Sequence, residues 1–158
     1  MSKKMILILI ISLVGLIGAI GIFYLIFSEN KNEEISWQNY KIGNTALKVQ
    51  VADTVKTRMQ GLSGREQLAE DEGMLFVFPY SGKHGFWMKD MNFDLDIIWI
   101  KENKVIGISE NVKKPETSSF SDLETVYPPQ EIDSVLEVNS GFSKTNDLKI
   151  GDSAGLIK

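Results

Sequence analysis

The chain has 158 residues, with 17 Lys and Arg against 21 Asp and Glu, one His and no Cys. Its net charge of −4 disfavours nucleic acid or an anionic membrane surface as a main partner. The lack of Cys excludes disulfides, thiol nucleophiles and Cys-based metal sites together, so the fold must hold by packing alone.

Met5 to Phe27 is an uncharged, almost wholly apolar run. As a helix it would reach roughly 34 Å, enough to cross a hydrocarbon core of about 30 Å. Lys3 and Lys4 precede it and Glu29, Lys31, Glu33 and Glu34 follow it, so Met1 is expected inside the cell and the rest of the chain outside. A cleaved signal peptide has the same order of parts. Its apolar stretch is shorter, however, and ends at a small-x-small site. Here the end is bulky, Phe23-Tyr24-Leu25-Ile26-Phe27, and Ala19-Ile20-Gly21 lies within the run. The expectation is a retained single-pass anchor in the cell membrane (residues 1–27 with its short cytoplasmic start), a polar tether (28–35) and one extracytoplasmic domain (36–158). Without Lys3 and Lys4 the part expected outside, tether included, carries 15 basic against 21 acidic residues, a balance near −6.

In the outer domain Leu47 to Val51 alternates apolar and polar residues, the period of a half-buried strand. Asp53 or Thr54 can cap a short helix through Arg58-Met59-Gln60 that Gly61 ends. Gly61 to Gly64 breaks the chain, and Arg65 to Leu68 reads as a further turn. Gly73 to Pro79 is a continuous apolar run closed by Pro, consistent with a buried strand. Phe86 to Met88 and Asp96 to Ile100 are strand candidates, and Lys101 to Lys104 is a turn leading to a hairpin partner at Val105 to Ile108. Residues 111–131 hold three of the four prolines and read as a long loop. Ser134 to Val138 is another strand, Gly141 to Leu148 a short helix or turn, and Ile150 to Ile157 a last strand. Many short strands and few helical residues predict a mainly β sandwich or barrel-like domain with one or two short helices, behind one N-terminal transmembrane helix.

Several segments, in order, resemble a known family. They are Arg58-x-x-Gly61-Leu62, Gly73-Met74-Leu75-Phe76-Val77-Phe78, Phe86-Trp87-Met88-Lys89, Leu95-Asp96-Ile97-Ile98, Val135-Leu136-Glu137-Val138-Asn139-x-Gly141 and Gly151-Asp152. Together they span essentially the whole outer domain and are similar to the domain of unknown function 192. The resemblance implies a compact, mainly β domain, often behind a signal or anchor, with no assigned reaction. This chain has Asp94 where the family pattern usually has Pro before Leu95.

The residues that can carry chemistry gather in three places. His84, Trp87 and Lys89 offer a base, an aromatic platform and a cation, although His84 also fits an exposed loop and Trp87 a core position. Asp96 is a carboxylate set among apolar residues and needs a partner if buried, with Arg58 and Arg65 as candidates for bidentate pairing. Glu137 in Val135-Leu136-Glu137-Val138 raises the same question: ion pair or ligand contact. Asp94 and Asp96 would share one side of an extended chain, but the spacing of a Ca²⁺ loop is absent and no metal is assigned. Gly61-Leu62-Ser63-Gly64 matches an RNA-clamping loop only superficially. A nucleotide P-loop and a Gly-x-Ser-x-Gly elbow are missing, and the sequence calls for no cofactor.

The favoured expectation is thus a domain binding a small molecule, an envelope polymer or a partner protein through Trp87, Lys89, Asp96, Arg58, Arg65, His84 and Glu137, with no role for nucleic acid. The rival is a carboxylate-based hydrolase or lyase of envelope glycans, pairing Asp96 with Glu137 or Asp94 across a groove of about 5–10 Å.

Overall fold

A computed structural model describes residues 36–116 and 123–157. The expected anchor and tether lie outside the described residues. Among those described, no helix is long and apolar enough to cross a membrane.

The chain runs β1 (Trp37–Ile42), β2 (Thr45–Ala52), α1 (Val55–Gln60), β3 (Glu72–Gly82), β4 (Phe86–Trp87), β5 (Leu95–Lys101), β6 (Lys104–Val112), β7 (Thr125–Val126), β8 (Ile132–Asn139), α2 (Phe142–Thr145) and β9 (Ala154–Leu156). Seven strands form one sheet in the order β6-β5-β8-β3-β2-β1-β9, and β4 pairs with β7 in a separate ribbon. Every neighbouring pair in the large sheet is antiparallel except β2 with β3. A parallel pair needs a crossover of a dozen or so residues, and the segment bearing α1 supplies it.

The sheet curls until its two outer strands approach. A bridge joins Lys104 to Ser153, Val105 N–H donates to the Asp152 carbonyl (2.9 Å), and Ala154 N–H donates to that of Asn103 (2.9 Å). The result is a curled half-barrel. The sandwich alternative expected from strand count is not formed, because one sheet bends round rather than two stacking.

Side chains alternate between two cores. Met74, Phe76, Leu95, Ile97, Trp99 and Val135 join one, which Leu62, Leu68, Met88 and Met91 cover from the connecting segments. Leu75, Ile98, Ile100, Leu136, Val138 and Phe142 join the other. The central strand β5 serves both and is buried from Leu95 to Ile100. Full burial of each such aliphatic side chain contributes about 1.5–3 kcal/mol. That repetition sustains a domain without crosslinks.

Four local expectations change. β1 was not anticipated, since Trp37-Gln38-Asn39-Tyr40-Lys41-Ile42 buries only Tyr40 and Ile42. β3 does not stop at Pro79; it continues to Gly82 through a register shift after Val77, where a residue lacking N–H is tolerated. The supposed loop 111–131 holds the end of β6 and the short β7. Arg65 to Leu68 forms no helical turn.

Candidate functional site

The site begins with the helix that was legible in sequence. Thr54 caps α1: Thr57 N–H donates to Thr54 Oγ1, and Thr54 N–H to Thr57 Oγ1, both at 3.1 Å. Gly61 ends it at φ 50°, a conformation that suits glycine. No residue of α1 is buried, so caps and Arg58, rather than a packed face, hold the helix in place. Arg58 Nη1 donates to the carbonyls of Asp53 and, at 2.8 Å, Val77. Its guanidinium lies 5.4 Å from the centroid of the Phe78 ring, within cation–π range.

Opposite α1 stands an aromatic wall. Phe86 meets Phe76 edge-on at 5.0 Å, Trp99 at 5.6 Å and Phe78 at 6.3 Å. His84 stacks flat on Phe78 at 3.8 Å and donates from Nε2 to the Tyr80 carbonyl at 3.1 Å. The alternation that buries Phe86 turns the next residue outward, leaving Trp87 46% exposed. β4 can approach β7 so closely only because residue 85 is glycine: a Cβ there would lie 2.6 Å from Thr125 Cγ2.

Between helix and wall is a pocket of about 260 Å³ lined by apolar side chains together with Arg58, Gln60, Ser63, His84 and Glu137. Glu137 reaches it from β8, where Met74 and Ile97 are its cross-strand neighbours. Its side chain has no hydrogen-bond partner among the described residues, and burial pushes its carboxyl up to about 8. At neutral pH this acid is therefore mostly protonated and presents both a donor and an acceptor.

Asp96 has the opposite surroundings. It is fully buried, and its carboxylate accepts from the N–H groups of Asn111 (2.9 Å), Gly141 (3.1 Å) and Ser143 (2.9 Å). The expected Arg58 or Arg65 ion pair is not formed. Arg65 reaches Gln50 instead, and Arg58 the two carbonyls named above. The left-handed turns at Asn111 (φ 54°) and at Gly141 (φ 87°), before α2, bring these backbone N–H groups onto Asp96. Asp94 accepts from Lys113 Nζ (2.8 Å) and Lys114 N–H (2.9 Å), and these two bonds hold its carboxyl below the usual range. With both Asp94 and Asp96 facing N–H donors, the pair offers a poor cage for a cation.

Of the residues expected to bind a ligand, Arg58, His84, Trp87 and Glu137 come together around one pocket. Lys89 is tied to Asp90 at 2.6 Å, and Arg65 and Asp96 lie elsewhere. The walls that Phe76, Phe78 and Phe86 provide were missed, because a strand phenylalanine facing a cavity has the same sequence signature as one facing a core. Glu137 is the one carboxylate among the lining residues. The two-carboxylate arrangement required by the glycan-hydrolase alternative is therefore not assembled here, since Asp94 and Asp96 point to backbone and lysine donors.

Residues 38–156 match the family model described as uncharacterised ACR, domain of unknown function 192. The chain belongs to the DUF192 family. A crystal structure described as that of a candidate transcription regulator from Sinorhizobium meliloti 1021 superposes with a TM-score of 0.68 at 27% identity, over 77% of this chain and 95% of that one. A protein of unknown function from Novosphingobium aromaticivorans superposes equally well, TM-score 0.68 at 24% identity, over 79% of this chain and 89% of that one, a likeness of fold. Inositol-3-phosphate synthase 1 of Bacteroides thetaiotaomicron is 27% identical over 105 residues, or 66% of this DUF192 chain. The match spans only 18% of that enzyme's length.

Proposed function

We propose that this DUF192 protein is a membrane-tethered, extracytoplasmic binding domain for a small molecule, which enters the pocket between α1 and β4. The observation that carries the reading is a buried acid, Glu137, without a partner among the described residues, opening on a pocket with aromatic walls. A polar group left unpaired in an apolar setting is costly, and a ligand that hydrogen-bonds it recovers that cost. At about 260 Å³ the pocket suits a small molecule better than a polymer, being slightly below the common range of ~300–1,000 Å³ for ligand sites. Trp87 offers a half-exposed stacking face at the mouth. The tether belongs to the same proposal and rests on the apolar run Met5 to Phe27 with its preceding lysines.

The test uses an uncharged aromatic probe, phenylacetamide, titrated into the protein while backbone amide resonances are followed. Saturable shifts confined to residues around 55–63, 76–78 and 84–87 are expected, with affinity falling about tenfold in Trp87→Ala, as loss of a stacking contact implies. Shifts centred away from these segments, or no saturable binding by this probe or by charged aromatic probes of similar size, would remove the reading.

A further inference from the structure

Building on that binding pocket, we propose that its ligand is a small monocarboxylate with an aromatic or branched apolar body. The carboxylate would lie against Arg58 and the body against Phe76, Phe86 and Trp87. Three observations lead there. The first is where charge sits in the lining. Met74 and Phe76 on β3 and Ile97 on β5, all apolar, adjoin Glu137 in the sheet. Across the pocket, the titratable groups are Arg58 from α1 and His84 from the segment before β4. While Glu137 keeps its proton, Arg58 is the one permanent charge in the lining, so the pocket is positive inside an acidic domain.

The second is the geometry of Arg58. Both of its backbone bonds leave from Nη1, so Nε and Nη2 retain donors with no partner among the described residues. Those donors match a carboxylate, which guanidinium binds in fork geometry. The third is a contrast with the neighbouring cation. Lys89 is spent on Asp90, with Nζ 2.6 Å from a carboxylate oxygen, and does not line the pocket. A ligand amine would meet Arg58 with like charge, and a neutral amide would leave the guanidinium unmatched.

The inference is decided by comparing phenylacetate with its neutral isostere phenylacetamide, using the full chain in lipid nanodiscs and isothermal titration. Phenylacetate is expected to bind at least about tenfold more tightly at pH 6.5, the gain typical of one charge-assisted contact. Raising the pH from 6.5 to 9 ionises Glu137 and should erode that preference, whereas Glu137→Gln should hold it constant. Arg58→Gln should abolish the preference and Arg58→Lys keep part of it. If loss of the backbone bonds unfolds Arg58→Gln, the wild-type comparison and the Glu137→Gln profile still decide. Equal or tighter binding of phenylacetamide would overturn the carboxylate assignment while leaving the binding pocket standing. Tighter binding of phenyl phosphate would reassign the anion, and failure of all three probes would sink pocket and assignment together.

Discussion

Asp96 and Glu137 look alike in the sequence, each a carboxylate flanked by strand-forming apolar residues, yet their surroundings divide them. Asp96 collects three backbone N–H groups, so its removal strands buried donors rather than a single partner. Asp96→Ala should cost about 3–5 kcal/mol in chemical denaturation. Arg58→Ala and Arg65→Ala should leave the Asp96 region's amide exchange unchanged. A loss below about 1 kcal/mol for Asp96→Ala would show that those bonds do not stabilise the fold. Glu137 behaves in the reverse sense. Its folded pKa of about 8 lies above the ordinary value of 4.5, because burial penalises the ion. The folded state then holds a proton that the unfolded state gives up. The associated stability is full below about pH 4.5, declines as pH rises and is gone above about pH 8. The wild-type melting temperature should therefore fall relative to that of Glu137→Gln between pH 5 and 9. Parallel pH profiles would mean that Glu137 titrates normally.

At the scale of elements, α1 is the weak member around the pocket. It buries nothing and leans on its Thr54–Thr57 capping box and on Arg58. Thr54→Ala should cost about 0.5–2 kcal/mol, the usual worth of an N-cap. Hydrogen exchange should rise first in Val55–Gln60, leaving β5 and β8 protected; uniform loss of protection would contradict this peripheral role. This helix and its glycine stop were legible in sequence because capping is written in adjacent residues. So was the β5–β6 hairpin, whose turn residues Glu102 and Asn103 both take positive φ. The short strands were harder. β7 owes its existence to a close approach at Gly85 that no local pattern records, and β1 buries too few side chains to leave a clear alternation. Asp96 and Glu137 could be flagged as buried acids but not told apart, because the N–H groups that satisfy Asp96 come from Asn111, Gly141 and Ser143, all distant in sequence.

At the scale of the molecule, two cores on the faces of one curled sheet replace the crosslinks that the composition forbids. Residues 36–158 alone should melt in one cooperative transition, with a midpoint unmoved by chelator or reductant. A chelator-sensitive midpoint would reveal a metal and return attention to Asp94. The sheet supplies one wall of the pocket through Phe76 and Glu137, and the β2–β3 connection supplies another. All seven strands could keep an antiparallel partner whatever happened between β2 and β3, the single parallel step. The connection that this step demands is the one carrying α1, Gly61 and Ser63 to the pocket. Exposed positions there, unlike the core-covering Leu62 and Leu68, can change without disturbing any antiparallel ladder. Under the proposed binding role, one half-barrel can be retuned to different small molecules by editing the exposed positions of a single crossover, as a lock is rekeyed without replacing the door.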